Sequence, residues 1–445
     1  MNFHPLRLRA TLPLLTALSI AGCVRAAPSA AVFRDDAAVA ELVRLHDQYR
    51  VPALTARQFT HRELWNALGT VVDAPGGPER EEVGRSAEGR PIYTVSYGRG
   101  ATRVLLWSQM HGNESTASMA LADLFRFLAA APDDPRARRI AERLTIVAVP
   151  MLNPDGAERF QRRNAMGIDV NRDARALVTP EARILRAVHQ RFRPEFGFNL
   201  HDQDVRARVG SSDRLAAIAL LAPPFDRAGD DNPVRMRAKR IAAVIRVAAE
   251  PLVAGHVTRY DDTFNPRAFG DLMQSWGTST VLIESGGWRD DPEKQYLRKV
   301  NFVALVSALD AIATESYTAA DPALYEELPE NGRSVNDLLV RGATIVLPGI
   351  EPYRADLSIN FADALAHRDG RITEIGDLAE AAARDTIDAT GLYLHPAPAM
   401  LSQEGPAAPV LTVDSPAIFV LRRTPDRASE GVWSVGASGY RRTPD

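Results

Sequence analysis

Two kinds of apolar pattern alternate between residues 103 and 316. Continuous apolar runs occur in "RVLLWSQ" (103–109), "TIVAVPML" (145–152), "EFGFNL" (195–200) and "TSTVLIES" (278–285). Their length and the turn residues around them are those of strands buried on both faces. Between them lie segments of helical period. "STASMALADLFRFLAA" (115–130) carries Met119, Leu121, Leu124, Phe125 and Leu128 at helical spacing. "TPEARILRAVHQRF" (179–192) opens with Thr179 as N-cap and Pro180 in the first helical position, and 292–316 reads as a long closing helix. Strands alternating with helices predict an α/β fold, with a mixed, largely parallel central sheet and helices on both faces.

The flanks have other textures. Residues 24–50 read as a tether followed by a short helix, and 59–71 as a second helix. "EEVGRSAEGRPIYTVSYG" (81–98) carries two β-type runs around a Gly- and Ser-containing turn, a hairpin pattern. Beyond residue 317, "GATIVLPG", "ADLSINFAD", "HRDGRITEIG" and "PAIFVLRR" are short β-type segments with an Asp369-Gly370 hairpin signal. The expected organisation is a signal over 1–22, tether and helix over 23–50, an α/β domain over 51–316 and a β-rich appended domain over 317–445.

Composition narrows the function. The chain has 445 residues and a net charge of −3, so it lacks the bulk basic field of a nucleic-acid binder. Its N-terminus runs from Arg7 and Arg9 through a short apolar stretch to Ile20-Ala21-Gly22-Cys23, the order of an export signal. The small residues before Cys23 resemble the lipobox of bacterial lipoproteins. Cys23 is the only cysteine, so an internal disulfide is impossible and a lipid anchor is the expected role. The expected location is the bacterial cell envelope, facing the periplasm.

In an open α/β sheet, ligands bind beyond the carboxyl ends of the strands. His111 and Glu114 follow the first such strand, His201 follows "EFGFNL" and Glu284 closes "TSTVLIE", so four potential ligands or acids share one sheet edge. Two imidazoles and a carboxylate form a catalytic zinc set that leaves a position open. His111 is the only one of nine histidines followed by Glu three residues later.

Six stretches then occur in one order: "GRSAEGRPI" (84–92), "HGNE" (111–114), "NPDG" (153–156), "RRNAMGIDVNRD" (162–173), "NLHDQD" (199–204) and "LIESGG" (282–287). Over residues 59–315 the chain resembles the zinc carboxypeptidases of the funnelin type, the family of the pancreatic digestive carboxypeptidases and their bacterial relatives. The resemblance implies one Zn2+ held by His111, Glu114 and His201, with Glu284 as general base and Arg162 polarising the scissile carbonyl. It also implies that Asn171 and Arg172 clamp the substrate's terminal carboxylate and that Asp169 orients the His111 ring. Arg163 is the alternate to Arg162.

The chain departs from the family pattern in two places. Tyr260 is the nearest candidate for the tyrosine that covers substrate, at a spacing that needs a small insertion, and "NRD" replaces the commoner "NRN". The pocket wall is expected near Arg267 and Phe269, and an inward Arg267 would favour an acidic terminal residue. The expected substrate is a peptide or murein peptide. A murein-peptide amidase, an N-acyl amino acid deacylase and a non-catalytic surface-binding lipoprotein are the alternatives.

Overall fold

The computed structural model describes residues 36–74, 76–402 and 409–444. The signal segment and Cys23 lie outside the described residues.

The first sheet has eight strands: β1 (Glu79–Arg85), β2 (Pro91–Tyr97), β3 (Thr102–Ser108), β4 (Leu144–Val149), β5 (Phe196–Asp202), β6 (Ile218–Leu221), β7 (Val257–Arg259) and β8 (Ser279–Ser285). Their spatial order is β1-β2-β4-β3-β5-β8-β6-β7. The central four are parallel, β2 is antiparallel to β4, and β6 is antiparallel to β8. This is the mixed, largely parallel α/β sheet that the alternating pattern predicts.

Side-chain parity on these strands decides where the site lies, because successive strand residues face opposite ways. On β3, Val104 and Leu106 face a core completed by helices Asp36–Tyr49, His61–Val72, Thr116–Ala130, Pro233–Ala249 and Gln295–Ala313. Leu105 and Trp107 face the other side, where helices Pro180–Phe192 and Phe269–Ser275 pack. On β5 the apolar residues Phe196, Phe198 and Leu200 all belong to the first core. The opposite positions are Gly197, Asn199 and His201. On β8, Val281 and Ile283 face the same core, leaving Leu282 and Glu284 on the other side. This half of the second face opens to a cleft lined by Asn199, Leu282 and Glu284 among others.

Helix Asp36–Tyr49 buries Val39, Leu42 and Leu45, so it is part of the first core. Residues 205–277, where the apolar pattern assigns no element, hold β6, β7 and two helices. β6 is too short and too poor in β-branched residues to announce itself, whereas helix Pro233–Ala249 carries a regular start signal in Asn232 as N-cap and Pro233.

A second eight-stranded sheet begins at Asn336 and has its own core around Leu338, Val340, Leu357, Ile372, Leu394 and Leu421. Residues 316–332 pack on the first body, with Tyr325 in its core and Asn331–Gly332 pairing with Arg208–Val209. The two bodies meet through ion pairs. The fully buried Asp337 carboxylate accepts from Arg206 Nε at 3.0 Å, Arg206 Nη2 at 2.7 Å and Arg384 Nη1 at 3.0 Å. Arg57 Nη2 donates to both oxygens of Asp363, at 2.7 and 2.6 Å.

Candidate metal centre and substrate cleft

The turn after β3 is built to fix two side chains. Gln109 takes a left-handed φ of 49°, uncommon for a residue with a side chain and a form of strain that clusters at functional sites. Its amide is held at both ends, with Nε2 donating to Gly112 O at 2.9 Å and Oε1 accepting from Ser118 Oγ at 3.0 Å. Glu114 N bonds His111 O at 3.1 Å, which closes the turn just ahead of helix Thr116–Ala130.

The "NPDG" loop braces this turn. Asn153 Nδ2 donates to Met110 O at 3.2 Å, and Asn153 N donates to Gln109 O at 3.0 Å. Gly112 is a glycine because its backbone touches that of Gly156. A Cβ on Gly112 would lie 2.0 Å from the Gly156 carbonyl carbon. Asp155 reaches the β1–β2 hairpin, accepting from Ser86 Oγ at 2.7 Å and Arg90 Nη1 at 2.7 Å.

His201 and Glu284 are register partners on the parallel strands β5 and β8. His111, Glu114 and His201 converge, all buried, with donor atoms within 4.8 Å of one another. His111 Nδ1 lies 2.7 Å from Glu114 Oε1, and His201 Nδ1 lies 2.6 Å from Glu114 Oε2. His111 Nε2 lies 3.0 Å from Asp169 Oδ1. If Nε2–H is given to Asp169, a neutral His111 turns an Nδ1 lone pair toward a carboxylate oxygen. Two facing acceptors are an arrangement that a cation resolves. Two imidazole nitrogens and one carboxylate are also a donor set suited to zinc. The residues present therefore fit the ion.

Arg162 completes a relay. Its Nε and Nη2 meet Asp169 Oδ2 at 3.0 and 2.9 Å, while Nη1 lies 3.1 Å from His111 Nδ1 and 3.2 Å from Glu114 Oε1. Arg163 turns away to Gly167 O, so the arginine at the centre is Arg162.

The electrostatics follow from burial and neighbours. Burial pushes the Glu114 carboxyl up, but the charges of His111 and His201 outweigh it and hold the group well below the usual carboxylate range. Burial likewise opposes His111, whose pKa is nonetheless raised by Glu114 and Asp169, whereas burial lowers His201. Glu284 is raised by burial first, then by the charges of Glu114 and Asp202. Its Oε2 has no hydrogen-bond partner among the described residues. A buried carboxyl with spare acceptor capacity is suited to proton transfer.

The remaining expected residues line one cleft of about 930 Å³. Asn171 and Arg172 form a short turn capped by Asp169. Asn171 Oδ1 accepts from Phe269 N at 3.0 Å, so what it offers a carboxylate is its Nδ2 hydrogens. Tyr260 follows β7 into the same cleft, and the Glu284 charge, with burial, pushes its phenol up to about 12. The segment expected to form the pocket wall lines the cleft, through Asn265, Ala268, Gly270 and Asp271. Arg267 is exposed and does not line the cleft, and Phe269 is fully buried in the core behind it. The first turn of helix Phe269–Ser275 presents Gly270 and Asp271 to the cleft instead. Asp271 is 7% exposed, and burial raises its pKa to about 6.

Several further residues line the cleft. Lys294, with a left-handed φ of 58°, donates to Ser285 O at 3.1 Å and to Gly286 O. Asp202 accepts from Thr116 Oγ1 at 2.7 Å. Arg57, and residues 362–365 of the second sheet, reach the cleft from segments with no chemical signature. His189 is buried with Nε2 on Thr278 Oγ1 at 2.9 Å.

Residues 73–201 match the model of the zinc carboxypeptidase family. The "Probable carboxypeptidase 2" of Trichophyton verrucosum (strain HKI 0517) is 33% identical over 185 residues, covering 41% of this chain and 34% of that protein. "Carboxypeptidase D" of Homo sapiens is 30% identical over 162 residues, covering 26% of this chain and 12% of that protein. The chain thus spans about a third or less of the length of these curated relatives. A metallo-carboxypeptidase structure from Burkholderia cenocepacia aligns over 58% of this chain and 70% of that one, at 19% identity and a TM-score of 0.46.

Proposed function

We propose that this chain, which carries a zinc carboxypeptidase domain over residues 73–201, hydrolyses the C-terminal peptide bond of peptides with His111, Glu114 and His201 as the ligands of one zinc ion. The observation that carries the reading is the convergence of those three buried donors within 4.8 Å, beside a fourth buried acid, Glu284, on the neighbouring strand. A zinc ion held there supplies Lewis acidity, polarising a carbonyl and making water more acidic.

The chain's own groups would do the rest. Glu284 takes the proton of the attacking water and passes it to the departing amine. Arg162 donates to the carbonyl oxygen as negative charge grows on it, a contribution of about 10² to 10³ in rate for comparable donors. Arg172 brings the planar fork that meets a carboxylate bidentately, and Asn171 adds amide donors, so a free chain terminus is selected. Asp169 ties these roles together by holding both the His111 ring and the Arg162 guanidinium. Its carboxyl is pushed up by burial but held well below its ordinary range by those two partners.

Asp271 is an acidic group of the cleft wall, on the helix that is bonded to the clamp through Asn171 and Phe269. A carboxyl there favours a cationic terminal side chain. The order of basic, apolar and small residues ending at Cys23 supports an exported, lipid-anchored protein acting on peptides of the cell envelope, murein peptides among them.

The test is release of the last residue from a set of peptides by the purified full chain. Release should stop on chelation, return with zinc, and fall by about 10² to 10⁴ in Glu284→Gln. Chelator-insensitive release, or a Glu284→Gln variant as fast as the parent, would overturn the reading. Equal turnover of Lys- and Glu-terminated peptides would remove the role given to Asp271.

A further inference from the structure

The second sheet is not a bystander to the cleft. Its segment Ala362–Leu365 lines the cavity together with Arg57 and Phe160. The contact is held from two directions. Asp363 grips Arg57 through two hydrogen bonds, and the Arg57 backbone carbonyl accepts from the hydroxyl of Ser115, the residue after Glu114. Arg57 N also donates to Glu293 Oε2 at 2.8 Å, and its guanidinium lies 5.1 Å from the Phe160 ring centroid. On the other side, the residues after His201 are pinned to the second body. Ser334 Oγ donates to Asp204 Oδ2 at 2.7 Å, and Arg206 meets the buried Asp337.

The carboxylate clamp lies elsewhere. Asn171 and Arg172 are braced on the 267–269 segment, through Asn171 Oδ1 to Phe269 N and Ala174 N to Arg267 O at 3.1 Å. The metal ligands fall between the two systems, with Asp169 and Arg162 leading from His111 to the clamp, and Ser115 and Arg57 leading from Glu114 to the second sheet. A peptide whose terminal carboxylate sits on Asn171 and Arg172, and whose last bond sits at His111, Glu114 and His201, would extend its upstream residues along the cleft, whose wall includes Arg57 and Ala362–Leu365. A volume of about 930 Å³ is at the upper end for ligand pockets, enough for more than one terminal residue.

Resting on the carboxypeptidase reading, we propose that the turn Ala362–Leu365 of the β-rich body, together with Phe160, is the subsite for the residues upstream of the scissile bond, and that it takes apolar side chains. The chemistry of the wall sets that class. Ala362, Ala364, Leu365 and Phe160 contribute apolar surface, and the two charges beside them, Arg57 and Asp363, neutralise each other. A charged upstream residue would gain no partner there and would lose water.

The experiment uses the full chain and two variants. Ala362 is exposed and small, so Ala362→Trp fills the subsite without disturbing a core, while Asp363→Asn weakens the grip on Arg57. N-blocked tetrapeptides with one common terminal residue, carrying Leu or Asp before it, are compared with an N-blocked dipeptide of the same terminus. In the parent protein the Leu tetrapeptide should exceed the Asp one in kcat/KM by about tenfold. Ala362→Trp should lower the tetrapeptide-to-dipeptide ratio by tenfold or more, carried mainly by KM, and Asp363→Asn should lower it by severalfold. In parallel, calorimetric binding of the Leu tetrapeptide to Glu284→Gln protein, with and without Ala362→Trp, should show the same tenfold loss without any turnover. Ratios and affinities unchanged in both variants would overturn the subsite. A parent protein that binds the tetrapeptide in an Ala362-dependent way yet hydrolyses nothing would uphold the subsite and overturn the carboxypeptidase reading instead.

Discussion

At the scale of single residues, the centre is held by pairs of groups that each need the other. Asp169 accepts from Arg162 and faces the outer nitrogen of His111, so it fixes the imidazole tautomer that leaves Nδ1 with a lone pair. Asp169→Asn should weaken zinc affinity about 10- to 100-fold, the usual cost of losing such a partner. Competition with a chromophoric chelator reads this, and an unchanged affinity would remove the role given to Asp169. His189 offers a pH test away from the centre. Burial first, then the Arg186 charge, lowers its pKa to about 4, so the folded protein prefers the neutral ring. The stability this contributes is present above the unfolded value near 6.5 and is lost as pH falls toward 4, by at most about 3 kcal/mol. Urea denaturation between pH 7 and 4 should show that loss, and His189→Gln should flatten it.

At the scale of elements, the strands buried on both faces were legible because their apolar runs are continuous, and the ligand positions were legible because each follows such a run. Parity then explains the site: β5 spends Phe196, Phe198 and Leu200 on one core and is left with Asn199 and His201 for the cleft. β6 and β7 were not legible, since four and three residues fall below any usable period. Helix Pro233–Ala249 carries its start signal in Asn232 and Pro233. The wall residue Asp271 escaped for a different reason, because the one-residue difference between Phe269 and Gly270 decides which side of a short helix meets the cleft. Close packing of elements also makes a prediction. Gly112→Ala would drive a methyl into the Gly156 backbone, so the ligand turn must shift. The variant should lose zinc affinity by more than tenfold with a melting temperature several degrees lower, and a variant equal to the parent in both would show that the two loops are free to part.

At the scale of the whole molecule, the second sheet is tied to the first body by ion pairs, one built on the fully buried Asp337 and one on the part-exposed Asp363. Nothing in local sequence pairs Arg206 with Asp337 or Arg57 with Asp363, which are 131 and 306 residues apart. Breaking a buried pair by removing one partner leaves a stranded charge, at about 3–5 kcal/mol. Arg206→Met should cost near the lower end of that range, because Arg384 remains on Asp337 at 3.0 Å. Chemical denaturation measures it, and a loss under about 1 kcal/mol would mean that the pair contributes no more than a surface one. Because that pair closes the segment after His201, the same variant should also raise KM for longer peptides more than for dipeptides.

The claim beneath all of this is that His111, Glu114 and His201 hold one divalent ion at the edge of the first sheet. Zinc titration of the metal-free full chain, with the bound metal counted by elemental analysis, tests it most directly. One tightly bound zinc per chain is the predicted result, with binding lost in His111→Ala and in His201→Ala while both variants remain folded. Zinc binding of undiminished affinity and stoichiometry in either variant would contradict it.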